Sequence, residues 1–238
     1  MLTPKIFRYS NGQIATREAA ASFSWEVPVP VNPFWDSIDY CTARNFLGCF
    51  SNAELEDLPI DVNSNADTPT KLRLLLALLK EKISSLGGTG LRERDYDKWH
   101  ALHQALFRLQ DVLDLPLEAE ETINLLVTHS KNKFVTQHAM SDYLIKQGKF
   151  REAEEGERAI LEWMESHPRL GRDGPQAINA RRVLVRALWG QGEGRRVEAE
   201  EMLKEVEGIV EGMGGGRFGV YKEEEGRLNE EMRRDLGA

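Results

Sequence analysis

From residue 68 onwards, apolar residues recur with the three- and four-residue spacing that is typical of helices with a buried face. The pattern predicts helices near 69–86, 94–113, 117–129, 133–147, 150–167, 175–190, 196–212 and 219–235. The first is leucine-rich nearly all round, so we expect it to be buried on more than one side. The last carries apolar residues on one side only, at Leu228, Met232 and Leu236, which is typical of a capping helix.

Residues 1–67 follow a different pattern. They contain nine of the 19 aromatic residues, and alternating prolines between Val27 and Pro33 force an extended backbone. A disordered tail would be poor in aromatic residues, so we expect an ordered segment with a short helix between Asp36 and Phe50 and no sheet beyond a short ribbon in residues 1–33. The predicted organisation is this partly extended segment, 1–67, packed on a helical domain, 68–238.

The sequence Glu-Ala-Glu-Glu occurs three times, with its alanine at Ala119, Ala153 and Ala199. The first two copies lie 34 residues apart and the last two 46, and such spacings are typical of stacked helical hairpins. Before the middle copy, Gly148 supplies the positive φ that a helix end favours, and Phe150 follows the turn. We expect Ala153 to lie where two helices approach closely.

The middle copy, Gln147 to Glu154, reads Gln-Gly-Lys-Phe-Arg-Glu-Ala-Glu and resembles the kinesin-light-chain variety of the tetratricopeptide repeat. That variety also has a His-Pro pair after its second helix, which His167-Pro168 matches. The resemblance covers residues 97–213, about half of the chain. It implies an all-α fold, a right-handed solenoid of helical hairpins with a C-terminal capping helix, preceded here by the irregular aromatic-rich segment.

The chain departs from the repeat pattern at four positions. In the first copy, Pro116 lies in the turn, Asp114 falls where the glycine belongs, and Gln110 replaces an apolar residue. In the middle copy, Glu157 takes the place of a large apolar residue on the second helix. These departures affect the phase of single helices rather than the fold class.

Composition excludes several classes of protein. The 238 residues are 41% hydrophobic and 29% charged, as in ordinary soluble proteins. The net charge of −8 argues against nucleic-acid binding, which needs clustered Lys and Arg. No apolar run is long enough to span a membrane or to act as a signal peptide. With two cysteines, Cys41 and Cys49, both expected to be buried and unreactive, the chain has no disulfide framework. We therefore expect a cytoplasmic protein.

Three patterns only partly match ligand sites. Residues 61–68 have the Asp-x-Asn-x-Asn start of a calcium loop but lack its glycine and its final glutamate. The glycines from Gly190 to Gly194 follow a predicted helix, whereas a phosphate loop follows a strand. His100 and His103 lie three residues apart, but no third His or Cys is near them. We therefore predict neither a metal nor a cofactor.

The strongest candidate site is implied by the resemblance. In tetratricopeptide proteins the first helix of each hairpin lines a concave groove. The corresponding positions here are Gln104, Arg108, His138, Asp142, Asn179, Arg182, Arg186 and Trp189. Arg182 and Arg186 share one face of a helix, and two guanidinium groups suit a carboxylate of an acidic partner. The alternative is that they pair with the acidic helices around them.

A second candidate site lies in the aromatic segment. Asp36 and Asp39 are one helical turn apart, and a carboxylate in an aromatic pocket can act as an acid or a base because burial raises its pKa. The alternative is a helix start with acids near its positive end. The residues of this candidate pocket are Trp35, Asp36, Asp39, Tyr40, His100 and His103.

The sequence thus predicts a protein-interaction or scaffold module that binds a protein or peptide in the groove, without a nucleic-acid or membrane partner. The alternative is an enzyme or small-ligand-binding protein whose pocket is closed by the aromatic segment. About two and a half repeats are near the minimum for this architecture. Either a homodimer or packing of the N-terminal segment would complete the core.

Overall fold

The computed structural model describes residues 5–20, 27–131 and 133–237. Helices dominate these residues and confirm the all-α prediction. The helices are α1 (Pro33–Asp36), α2 (Tyr40–Gly48), α3 (Asn52–Glu56), α4 (Thr68–Ser85), α5 (Leu91–Arg94), α6 (Tyr96–Val112), α7 (Pro116–His129), α8 (Lys133–Lys146), α9 (Phe150–Ser166), α10 (Pro175–Gly190), α11 (Arg196–Gly212) and α12 (Lys222–Leu236). In the described part of the chain, no helix is both long and apolar enough to cross a membrane.

The strands of the described residues are short and lie in the N-terminal segment, as expected. They are β1 (Phe7–Arg8), β2 (Ile14–Ala15) and β3 (Val29–Pro30). β1 is central and pairs antiparallel with both others, with Phe7 opposite Ala15 on one side and opposite Pro30 on the other. The chain divides into two compact units, Met1–Ser130 and Lys131–Ala238. The aromatic segment therefore belongs to the same unit as α4, α6 and α7.

In the first unit, α2 and α4 both pack on α6. The fully buried ring of Phe46 lies between Trp35 and Phe50, with ring centroids 6.2 Å and 4.8 Å away. α4 buries one broad face that includes Leu75 and Leu79. Leu74 lies outside this face and is exposed, so the expected burial on more than one side does not extend to that position.

The connector before α4 is held by a buried ammonium group. Lys71 is 7% exposed, and its Nζ donates to the carbonyl oxygens of Val62 at 2.8 Å and Ser64 at 2.7 Å. The same Nζ lies 5.5 Å from the centroid of the Phe34 ring. The segment that partly matches a calcium loop is thus organised around a lysine of the chain itself.

The two cysteines differ. Cys49 is buried, its Sγ donates to the carbonyl oxygen of Asn45, and burial raises the pKa of its thiol to about 12. Cys41 is exposed. The predicted burial is therefore confirmed for Cys49 and wrong for Cys41.

The second unit is built from helical hairpins. α9 runs antiparallel to α8, because Leu144 near the end of α8 packs with Ala153, whereas Phe134 near its start packs with Ile160. α10 packs on α9 and also on α8, α11 packs on α10, and α12 packs on α11 and α10. Ala153 is fully buried against Ala187 of α10, which confirms the predicted close approach.

The repeated alanines have equivalent environments in the three predicted copies, and the first two turns share a positive φ. Ala119, Ala153 and Ala199 are each 0% exposed. The middle turn has a positive φ of 71° at Gly148. In the first turn the residue with positive φ is Asp114, at 53°. It is the single non-glycine residue with positive φ in the described part of the chain. Aspartate tolerates the left-handed region better than most side chains do, so the degenerate first copy keeps the same kind of turn.

Candidate functional site

Two of the predicted groove residues come together in the second unit. His138 lies on α8 and Asn179 lies on α10, and the imidazole Nε2 is 2.9 Å from the Asn179 Nδ2. Asn179 is exposed and His138 is half-buried. The first helices of two successive hairpins are thus joined by a hydrogen bond at the surface.

The other side of the His138 ring meets a buried carboxylate. The Oε1 atom of Glu157 on α9 lies 2.5 Å from the His138 Nδ1, and the Glu157 side chain is 0% exposed. Burial raises the pKa of Glu157, the hydrogen bond from His138 opposes this rise, and the charge of Asp142 adds to it. Sequence reasoning did not include Glu157 in the site, although its departure from the repeat pattern was the signal that pointed to it.

A glycine makes room for this polar cluster. A Cβ atom at Gly156 would lie 2.8 Å from the Gln137 Nε2 and 3.2 Å from the Ser141 Oγ, both on α8. The Ser141 hydroxyl is turned towards its own helix and donates to the carbonyl oxygen of Gln137 at 3.1 Å. The absence of a side chain at position 156 therefore lets the polar side of α8 approach α9 next to Glu157.

The two hydrogen bonds of the His138 ring determine which of its nitrogens carries the proton. An amide nitrogen only donates, so Asn179 Nδ2 requires an imidazole Nε2 without a proton. A neutral ring then carries its proton on Nδ1 and donates it to the Glu157 carboxylate. The outward side of the Asn179 amide keeps its oxygen and its second N–H for another molecule.

Arg182 lies in the interior rather than on an open surface. It is 2% exposed, and its guanidinium contacts α12 through the Asn229 Oδ1 at 2.8 Å and the Glu225 Oε2 at 2.7 Å. Burial lowers the pKa of Arg182, while the charge of Glu225 opposes this change. For this residue the structure has the alternative arrangement, in which the arginine pairs with an acidic helix of its own chain.

The other groove candidates have surroundings of their own. Arg186 is half-buried on α10 and forms no ion pair within the described residues. The ring of Trp189 is covered by Arg196, whose guanidinium carbon is 3.8 Å from the ring centroid. Gln104 and Arg108 are half-buried on α6, in the other unit.

A separate network of charges links the repeats near the turn between α8 and α9. Burial raises the pKa of Glu154, but hydrogen bonds from Arg195, Gln191 and Arg158 lower it to about 2. Arg195 also pairs with Glu198 at 2.7 Å. Glutamates of the second and third Glu-Ala-Glu-Glu sequences thus share the same arginines, so we interpret this cluster as a connection between hairpins.

The acidic residues of the alternative pocket have structural surroundings of their own. Asp39 is exposed and caps α2, because its Oδ1 accepts from the Thr42 backbone N–H at 2.9 Å. Asp36 is also exposed, at the end of the four-residue α1. Trp35 is buried next to Phe34, with ring centroids 4.9 Å apart. The helix-start alternative therefore describes Asp39.

The other residues of that pocket belong to the packing of the first unit. The Tyr40 hydroxyl donates to the carbonyl oxygen of Val27 at 3.0 Å. The His103 Nδ1 is 2.8 Å from the Trp99 carbonyl oxygen, and the His100 ring stacks on Tyr96 at 5.7 Å. Burial lowers the pKa of both histidines. Across the described residues, no group of three or more His, Cys, Asp or Glu side chains is arranged to hold a metal ion.

Comparisons with models of known protein families, with curated proteins and with solved structures found no match to this chain. The resemblance to the tetratricopeptide repeat therefore rests on the motifs of the sequence.

Proposed function

We propose that this protein is a scaffold of tetratricopeptide-like hairpins that binds an extended segment of a partner protein on the face formed by α8 and α10. We call this the α8–α10 face and define it by His138, Asp142, Asn179 and Arg186. The observation that carries the proposal is the hydrogen bond between His138 and Asn179. It joins the first helices of two successive hairpins, whose counterparts line the binding groove of a solenoid.

The chemistry of this face suits a peptide backbone. The Asn179 amide offers a donor and an acceptor side by side, which is the pairing that one peptide unit needs. Asn179 is exposed, and its position is fixed by His138 rather than free to rotate. Ordering this side chain before binding reduces the entropy that binding would otherwise cost.

Arg186 gives the face a preference for a carboxylate. Its guanidinium forms no ion pair among the residues described, whereas Arg182 is already paired with Glu225. A guanidinium group binds a carboxylate through two parallel hydrogen bonds. We therefore propose that the acidic group of the partner is the carboxylate of a single Asp, Glu or chain terminus, and that it binds Arg186.

The experiment is a selection of displayed random peptides on the full chain, followed by titration of the selected peptides against single variants. We expect Asn179→Ala and Arg186→Ala each to weaken binding about tenfold, which corresponds to about 1.4 kcal/mol. The matched controls are Gln147→Ala, an exposed amide in the α8–α9 turn, and Arg234→Ala, an exposed arginine on α12. Selection without enrichment, or equal affinity in the face variants and the controls, would contradict the proposal.

A further inference from the structure

A fully buried carboxylate lies at the inner end of the chain of hydrogen bonds that holds Asn179. Glu157 Oε1 contacts His138 Nδ1 at 2.5 Å, and His138 Nε2 contacts Asn179 Nδ2 at 2.9 Å. The three residues come from α9, α8 and α10 in that order. The path therefore runs from the interior of the hairpin to the exposed α8–α10 face.

Burying the Glu157 carboxylate at this position costs free energy. Its side chain is 0% exposed, and its second oxygen, Oε2, has no hydrogen-bond partner in the described structure. A buried carboxylate oxygen without a partner costs free energy, and an apolar side chain would pack here without that cost. Fold stability therefore does not explain a glutamate at this position. What a glutamate provides, and an apolar residue does not, is the contact with His138.

The position of the proton on His138 decides which end of the Asn179 amide faces the ring. Nδ2 only donates and Oδ1 only accepts, whereas the imidazole Nε2 accepts when it is bare and donates when it is protonated. With the Glu157 carboxylate holding the ring proton on Nδ1, Nε2 is bare and faces Nδ2. A ring with its proton on Nε2 would instead require Oδ1, and the amide would be turned over.

We propose that Glu157, acting through His138, is a positioning residue that orients the Asn179 amide with its oxygen outwards and thereby selects which peptides bind. The statement about peptides rests on the proposed function, while the orientation of the amide does not. In this orientation the face offers an acceptor to a peptide N–H.

The ionisable groups around the pair come from α8, α9, α10 and α12. On α8, Asp142 is the other carboxylate that acts on Glu157. On α9 the facing group is Glu157 itself, next to the uncharged Gly156. On α10 the neutral Asn179 faces the ring, and Arg182, one turn further along, is neutralised by Glu225 of α12.

The test uses Glu157→Leu, which restores the large apolar residue that the repeat pattern favours. Without the carboxylate, nothing keeps the proton on Nδ1, so Nε2–H becomes the neutral form and the amide is reversed at every pH. The matched control is Gln110→Leu, which removes the other buried polar residue at an apolar repeat position, in the first unit. Both variants remove a buried polar group, but only Glu157→Leu removes a contact of His138.

The first readout is the proton position on His138, measured by long-range ¹H–¹⁵N spectra of the full chain without peptide. We expect the Nδ1–H form in the parent and in Gln110→Leu at neutral pH, and the Nε2–H form in Glu157→Leu. An Nε2–H form in the parent would overturn the proposal without any peptide being needed.

The second readout is the affinity of a peptide selected at neutral pH. Glu157→Leu should bind it about tenfold more weakly than the parent and Gln110→Leu do, since a donor then faces a donor. If the proton positions are as expected but the affinity of Glu157→Leu equals that of the parent, the role in recognition is wrong and the peptide-binding function stands. If no peptide binds any of the three proteins, the proposed function is wrong as well.

Discussion

Arg182 on α10 and Glu225 on α12 form a buried ion pair, with 2.7 Å between Nη2 and Oε2 and side chains that are 2% and 6% exposed. The pair fixes the C-terminal helix on the hairpin before it. It also removes from the surface an arginine that sequence reasoning assigned to a ligand. Its first consequence concerns stability rather than binding.

Glu225→Ala should therefore destabilise the protein by about 3–5 kcal/mol, because removing one partner leaves the other charge buried and unpaired. Urea unfolding of the full chain measures this loss. The control is Glu230→Ala, an exposed glutamate on the same helix, which should change the free energy of unfolding by less than about 0.5 kcal/mol. Equal stability of the two variants would mean that the ion pair does not hold α12.

Ala153 provides a test of the hairpin packing. Ala153→Leu inserts a larger side chain where α9 meets Leu144 and Ala187, and overpacking of this kind costs about 1–3 kcal/mol. We expect a lower melting temperature by calorimetry. Ala159→Leu makes the same change at an exposed position of α9 and should melt like the parent. A parent-like melting temperature for Ala153→Leu would refute the close approach of the helices.

Lys71 is expected to hold the connector between the aromatic segment and α4. Lys71→Met keeps the length of the side chain but removes the donor to the carbonyl oxygens of Val62 and Ser64. Hydrogen bonds to charged groups contribute about 1.5–3 kcal/mol, so residues 61–67 should open more often. Limited proteolysis should then cut there faster than in the parent. Lys80→Met, an exposed lysine of the same helix, is the control, and equal cleavage of both variants would rule out this role.

The two histidines of α6, of which His103 is buried and His100 half-buried, predict a loss of stability in mild acid. Burial lowers the pKa of His100 and His103, so the unfolded chain binds more protons than the folded one between the two pKa values. Their contribution is complete above the ordinary imidazole pKa of about 6.5 and is lost as the pH falls through the folded-state pKa. Glu157, with a raised pKa, acts in the opposite direction.

The measurement compares the parent with the double variant His100→Gln, His103→Gln. The urea midpoint of the parent should fall from about pH 7.5 to about pH 5.5, and that of the double variant should fall less. Glu157 is unchanged between the two proteins, so its effect cancels. Glu54 and Glu154, whose pKa values are lowered to about 2 by hydrogen bonds from basic side chains, stay ionised throughout. An equal fall in both proteins would show that other groups cause it.

The helices were predictable because their signals are local. The spacing of apolar residues predicted the long helices from α4 to α12, and Gly148 predicted the turn of the middle hairpin. Asp114 was interpreted as a departure from the repeat pattern, although it has a positive φ as well. A positive φ and a small buried residue at fixed offsets depend on a few neighbouring residues. The division of the chain after Ser130 has no such local signal.

The contacts of the candidate site were only partly predictable, because they depend on register between distant segments. His138 and Asn179 could be placed on first helices, but their hydrogen bond spans 41 residues of sequence. The sequence shows Glu157 as a polar residue at an apolar repeat position, but no neighbouring residue indicates that its partner is His138. Arg182 was expected to line an open groove, whereas α12, a helix distant in the sequence, packs on α10 and buries it.

The position of the ligand on the protein tests the central claim most directly. A peptide from the selection is titrated into the ¹⁵N-labelled full chain, and the amide signals that shift are mapped onto the helices. We predict shifts concentrated on α8 and α10 around His138, Asn179 and Arg186. Shifts concentrated instead around α2 and α6, near Trp35, Tyr40 and His100, would contradict this account and favour a pocket in the aromatic segment.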